Sequence, residues 1–277
     1  MKYIFFDIDG TLISHERGIL ESTIKALNKL KENGHKIFIN TGRSLAEVGK
    51  GFDRLGFDGF VCAAGSYVKI GDKVVYQRTI DADSIDELVE LLNNLKIGFG
   101  LEGDEFTYFS EEVYQGYRLR VYEAIDKITK EEKREYEPYH FMIQPAFVRK
   151  MEDYYENRTN INKLLIYSGS RSQNELLNDK LSNDYHLIIY DTFAELLNAG
   201  INKATGIREV IKHYGAKMED TIALGDSLND LDMIKEAQIG IAMGNSSDEV
   251  KAVADLVTDH VHEDGLYNAL KKLGLYE

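Results

Sequence analysis

Lys2–Ser14 reads KYIFFDIDGTLIS. Tyr3–Phe6 is an unbroken apolar run, the pattern of a strand covered on both faces in a parallel sheet. Two carboxylates follow at once, Asp7 and Asp9, and then Gly10. Residues i and i+2 of a strand face the same side. Both acids therefore leave the C-terminal end of a buried strand toward the crevice where open α/β sheets bind ligands. Two carboxylates that close repel, and a divalent cation between them offsets the repulsion. Gly10 lets the chain turn sharply past them. The pair by itself also fits a surface turn, so the rest of the chain has to decide.

Further along, strands and helices alternate. Ser22 is a candidate N-cap for a helix with the apolar stripe Ile24, Leu27, Leu30, and Gly34 is its stop. HKIFIN (His35–Asn40) reads as the next strand, TGRS leads into a helix through Leu45 and Val48, and DGFVCAAG (Asp58–Gly65) reads as a third strand. This alternation predicts a right-handed parallel α/β sheet. YVKIGDKVVYQR (Tyr67–Arg78) departs from it: two β-rich arms flank Gly71-Asp72, a hairpin signal. Ser84–Leu95 is an amphipathic helix, followed by short tyrosine-rich segments up to Tyr190, among them the charged connection KITKEEKREYEPYHF. Asp81 to Tyr190 is expected to be an inserted α+β domain. The core is then residues 1–80 and 191–277, whose second part reads helix (KATGIREVIKHYG), strand (DTIALGDS), helix (DLDMIKEA), strand (IGIAMGN), helix (SDEVKAVA) and a short last strand (ADLVT).

The chain has 277 residues, suiting two modest domains, with 43% hydrophobic and 29% charged residues. Its net charge of −14 argues against nucleic acid or an anionic membrane as partner, though not against a phosphorylated substrate in a locally positive site. No run approaches the ~18 apolar residues of a membrane helix. Cys62 is the only cysteine, so no intramolecular disulfide forms. A cytoplasmic protein is expected, with Cys62 a small buried strand residue.

Three more sets of residues follow strands or open helices. Thr41 and Gly42 end the second strand at a helix N-terminus, where backbone N–H groups and the helix dipole receive anions. Lys203 opens the helix in AGINKATGI, and ALGDSLND puts Asp226 just past a buried strand, with Asn229 and Asp230 in the next turn. Each set alone also reads as a cap or a solvated helix start. Four together on one sheet point to a single site.

In this order the sets resemble the four motifs of the haloacid dehalogenase superfamily of phosphohydrolases. The TGR run, the strand ending AAG with the insertion behind it, and IGIAMGNSSDEVKAVADLVT are similar to its Cof-type branch. The resemblance implies a Rossmann-like parallel-sheet core with an inserted α+β cap of the C2 type. It implies that Asp7 is the nucleophile, forming an aspartyl-phosphate, and that Asp9 is the general acid and base. Mg²⁺ is expected on Asp7, the main-chain carbonyl of Asp9, and Asp226. Thr41, Gly42, Lys203 and Asn229 are expected to hold the phosphoryl group, with Asp230 behind them orienting Lys203 or a metal-bound water. The expected substrate is a small phosphorylated metabolite, the expected assembly a monomer or homodimer. A phosphomutase with the same intermediate, and a non-catalytic phosphometabolite-binding protein, stay open.

Two stretches depart from the family pattern. Ala64-Gly65 stands where Asn-Gly is common, and NKAT stands where SKG is common. The cap is expected to supply specificity, with Arg43, Tyr108, Tyr114, Tyr117, Arg118 and Arg120 as candidate substrate contacts. His260 and His262 in DHVHEDG superficially suggest a transition-metal site but lack further ligands at a defined spacing, and read as a polar loop.

Overall fold

The computed structural model describes residues 1–14, 16–48, 52–127 and 147–276, and for 53 and 120–127 the backbone alone. It divides into two compact units. One holds Met1–Gly42, Phe52–Gln77 and Ile201–Glu277, the other Arg43–Gly51 and Arg78–Gly200.

The first unit begins with β1 (Tyr3–Phe6), all four residues buried as the apolar run requires. Helix Glu21–Glu32 follows, burying Thr23, Ala26, Leu27 and Leu30. Its N-cap is Leu20, not Ser22, whose hydroxyl donates to Asp264 Oδ1 at 2.5 Å instead. Gly34 does end the helix, with φ of +75°. Then come β2 (Lys36–Asn40), β3 (Gly59–Cys62), and the hairpin β4 (Tyr67–Ile70) and β5 (Lys73–Gln77), turning at Gly71. Cys62 is buried and forms no disulfide.

The second unit is a six-stranded sheet. Its strands are β6 (Gly98–Gly103), β7 (Thr107–Phe109), β8 (Val148–Lys150), β9 (Ile161–Tyr167), β10 (Tyr185–Ile189) and β11 (Ala194–Asn198). Their order is β10-β11-β9-β6-β7-β8, antiparallel except for the β7–β8 pair. Because β11 pairs with both β9 and β10, this unit runs on past Tyr190 to Gly200. Helix Ala82–Asn94 lays Ile85, Leu88, Val89 and Leu92 on Phe99, Leu101, Leu164, Ile166 and Leu196. Alternate residues on the same strands face the other way and carry charge. Lys163 on β9 sits 2.6 Å from Glu195 on β11 and 3.4 Å from Glu102 on β6, all three buried. Burial works against the Lys163 ammonium, but the two glutamates outweigh it and hold its pKa above the usual lysine value. Burial also pushes Glu102 well above the ordinary carboxylate range, opposed by Lys163 and reinforced by Glu47.

Tyr108 belongs to the apolar core of this unit, its hydroxyl oxygen accepting from Thr159 Oγ1. Tyr117 packs on Phe109, and Tyr114 lies beneath Arg118 and Lys150. The Arg120 side chain and residues 128–146, which include the charged connection beyond Lys127, lie outside the described residues.

The chain returns to the first unit with helix Lys203–Tyr214, then β12 (Thr221–Gly225), β13 (Ile239–Ala242) and β14 (Leu256–Val257). The sheet order is β14-β13-β12-β1-β2-β3-β4-β5. It is parallel from β14 through β3, and the β3–β4 and β4–β5 pairs are antiparallel. Phe5 stacks on Phe38 at 5.1 Å, and Ile207, Val210, Ala223 and Met233 close over them. Among the described residues no helix is long and apolar enough to cross a membrane.

Candidate active site

Register brings the motif residues together. Phe6 pairs with Ile39 on one side and Leu224 on the other. Asp7 is therefore level with Asn40 and Gly225, and Thr41 and Asp226 follow one residue further along the same C-terminal edge. The Asp7 N–H still donates to Leu224 O at 3.0 Å. Thr41 is buried and pinned on both sides of its peptide, its N–H donating to Val61 O at 2.9 Å and its carbonyl accepting from Ala64 N–H at 3.0 Å.

Lys203 is fully buried and is the centre of the arrangement. Its ammonium donates to Asp7 Oδ1 at 2.6 Å and Asp230 Oδ1 at 2.5 Å. A lysine at the first position of a helix faces the wrong end of the dipole, and two carboxylates compensate. Burial opposes its charge, but Asp230 and Asp7 together hold its pKa above the ordinary lysine value. Its backbone is equally fixed. Asn202 caps the helix, Oδ1 accepting from Thr205 N–H at 3.0 Å, which is what the Asn and Thr of NKAT do here. Asn40 Nδ2 donates to Lys203 O at 3.0 Å. Gly65, with φ of +99°, lies so close that a Cβ would stand 2.0 Å from Asn202 O. The AAG turn after β3 thus seats the helix that carries Lys203.

Asp7, Asp226 and Asp230 each offer a carboxylate oxygen, all within 4.8 Å of one another, the spacing of a metal site. Their existing bonds separate them. Asp230 spends Oδ1 on Lys203, and Oδ2 accepts from the N–H groups of Asp226 and Ser227, both at 2.9 Å. Asp226 Oδ1 is buried with no hydrogen-bond partner. A buried carboxylate oxygen without a donor beside two further carboxylates fits a hard divalent cation. Asp7 and Asp226 are the residues of this set with ligating capacity, and Asp230 supports. Burial first, then the charges of Asp230 and Asp9, push Asp226 up to about 7, against Lys203. Burial likewise raises Asp7 well above the carboxylate range, against Lys203. Asp9 is outside the three-carboxylate set, although its charge bears on both neighbours. It lies half-buried in the tight loop where Gly10 N–H donates to Ile13 O at 2.9 Å.

Asn229 sits in the turn Leu228–Asp230, Oδ1 accepting from Ser227 Oγ at 2.9 Å. Arg43 is half-buried and opens the segment that groups with the second unit. His262 contacts Ser14 Oγ at 2.5 Å through Nε2, and its N–H donates to His260 Nδ1, so the histidine pair closes a turn. It belongs to no metal-spaced group among the described residues. Asn40 and Asn245 were absent from the sequence expectations. Asn245 Nδ2 donates to Gly10 O at 2.9 Å and to Asp226 Oδ2 at 3.2 Å. Its one sequence signal is its place just past a buried strand on the same sheet edge.

A parallel sheet that collects acids and one buried lysine at its C-terminal edge defines a phosphatase-type hydrolase. The pattern of haloacid dehalogenase-like hydrolases matches residues 4–270, and the chain belongs to that family, in its Cof-type branch. YkrA of Bacillus subtilis (strain 168) is 30% identical over 278 residues, covering 99% of this chain and 98% of that protein. The 5-amino-6-(5-phospho-D-ribitylamino)uracil phosphatase YcsE of the same strain is 29% identical over 273 residues, covering 98% of this chain and 95% of that one. The solved structure of the HAD subclass IIB sugar phosphatase BT4131 superposes with a TM-score of 0.79 at 28% identity, covering 99% of this chain and 100% of that one.

Proposed function

We propose that this protein is a Mg²⁺-dependent phosphatase of small phosphorylated metabolites, sugar phosphates or similar phosphomonoesters, acting through an aspartyl-phosphate in the cytoplasm. The observation that carries the reading is the buried Lys203 ammonium shared between Asp7 and Asp230, beside the donorless Oδ1 of Asp226. Asp7 attacks phosphorus, and the bond from phosphorus to the leaving oxygen breaks as the aspartyl-phosphate forms. Asp9 gives that oxygen a proton. Asp9 then takes a proton from water, whose oxygen attacks phosphorus, and phosphate leaves with Asp7 restored. Lys203, Thr41, the Gly42 N–H and Asn229 Nδ2 meet the charge on the phosphoryl oxygens. Asp230 keeps Lys203 charged and aimed. Mg²⁺ on Asp7, the Asp9 carbonyl and Asp226 would supply Lewis-acid neutralisation of the phosphoryl oxygens.

The test is phosphate release from a panel of phosphomonoesters, p-nitrophenyl phosphate included, in Mg²⁺ and in EDTA. Turnover that disappears in EDTA and returns on adding Mg²⁺ is expected. Release unaffected by EDTA, or release from no phosphomonoester at all, would overturn the reading.

A further inference from the structure

Asn245 has no part in the roles above, yet one side chain ties three places in the first unit. It sits on a pinned loop just past β13. Met243 N–H donates to Gly225 O, Gly244 N–H to Asp259 O, and Ser246 N–H to Met243 O, each at 3.0 Å. The orientation of its amide is set by chemistry. Oδ1 accepts from the N–H of Val261 at 3.0 Å, which an Nδ2 could not do. Nδ2 therefore faces the two acceptors, Gly10 O and Asp226 Oδ2, and both its hydrogens are used.

The consequence falls on Asp226. Its Oδ2 is held by the amide, while Oδ1 has no hydrogen-bond partner. Of two otherwise equivalent oxygens, Asn245 has taken one and left the other for a ligand. The same amide fixes the Gly10 carbonyl and so the peptide that follows the turn carrying Asp9. That turn is closely packed: a Cβ on Gly10 would stand 2.2 Å from Asp226 Oδ2.

We propose that Asn245 is a positioning residue for the cation site, holding Asp226 so that Oδ1 is the ligand and locking the Asp9–Gly10 turn beside it. This rests on the metal-dependent reading above. Partners that orient a metal ligand change metal affinity about 10- to 100-fold when removed. A side chain that merely stabilised its loop would lower the melting temperature without that selectivity.

The experiment measures Mn²⁺ binding to the full-length protein without substrate, by the electron paramagnetic resonance signal of free Mn²⁺. Wild type is compared with Asn245→Ala and Asn245→Ser. The control is Asn268→Ala, which removes a hydrogen bond to Asp259 of the neighbouring loop. A dissociation constant raised about tenfold or more in Asn245→Ala is expected, with a smaller rise in Asn245→Ser, which keeps one donor, and none in the control. The Mg²⁺ concentration for half-maximal hydrolysis should rise by the same factor, and saturating Mg²⁺ should restore most of kcat. Should Asn245→Ala melt below the assay temperature, Asn245→Ser is read in its place. Wild-type Mn²⁺ affinity in a folded variant overturns the positioning role alone. Wild type that binds no Mn²⁺ overturns the metal reading, and this inference falls with it.

Discussion

Replacing Lys203 by methionine removes the one charge that both buried carboxylates share, at 2.6 Å from Asp7 and 2.5 Å from Asp230. Breaking a buried ion pair by deleting one partner costs about 3–5 kcal/mol, because the other charge is left uncompensated. Asp230 retains two backbone N–H donors on Oδ2, so its share is small and Asp7 carries most of the cost. That sets the expectation near the lower end, about 3 kcal/mol in metal-free protein. The pH dependence has a definite sign. Burial already holds the Asp7 pKa above its ordinary 3.8, against Lys203, and losing the lysine lifts it further. A raised carboxyl contributes stability that is complete below its unfolded pKa and lost as pH rises through the folded one. The deficit of Lys203→Met should therefore be small near pH 4 and grow toward pH 8. Urea unfolding followed by far-UV circular dichroism, in EDTA at pH 5 and pH 8, measures it, and Mg²⁺ should narrow the gap at pH 8 by supplying charge. A variant within about 1 kcal/mol of wild type at pH 8 in EDTA, below the buried-pair range, would refute the reasoning.

In the second unit, Lys163→Met should cost about 3–5 kcal/mol near neutral pH. Part should be recovered as pH falls toward the 4.5 of an ordinary glutamate, because the raised Glu102 carboxyl then protonates; thermal melts against pH report it. With Asp226 at about 7 in metal-free protein, Mg²⁺ displaces a proton below that pH. Mg²⁺ affinity by calorimetry should then rise at least about tenfold from pH 6 to pH 8, and Asp226→Asn should weaken that dependence and abolish most of the binding. Gly65→Ala combines a φ of +99° with a Cβ 2.0 Å from Asn202 O. It should cost about 1–3 kcal/mol in a denaturant titration and reduce kcat by shifting the start of the Lys203 helix.

The core was legible because its signals are local. An apolar run followed by an acid or a hydroxyl marks the C-terminal edge of a parallel strand, and Asp7, Thr41 and Asp226 each stand at such a point. Lys203 was legible as a helix start, though its burial was not, since burial depends on Asp7 and Asp230 arriving from strands far away in sequence. Asn245 was hidden for the same reason. A loop asparagine is ordinarily a turn former, and its acceptor on Gly10 lies 235 residues away. Nothing local in INKLLIY marks Lys163 for burial. Its partners Glu102 and Glu195 become neighbours only once β9 lies between β6 and β11. Ser22 misled because its hydroxyl serves Asp264, 242 residues on, and not its own helix. The end of the second unit was set by the pairing of β11, a long-range choice that AELLN does not announce.

The most direct test of the central claim is the rate of p-nitrophenyl phosphate hydrolysis by Asp7→Asn against wild type in saturating Mg²⁺. A nucleophile that forms the aspartyl-phosphate predicts a fall of at least about a thousandfold, in a protein that still folds and unfolds as wild type does. Turnover within about tenfold of wild type, or about 1.4 kcal/mol of barrier, would contradict it.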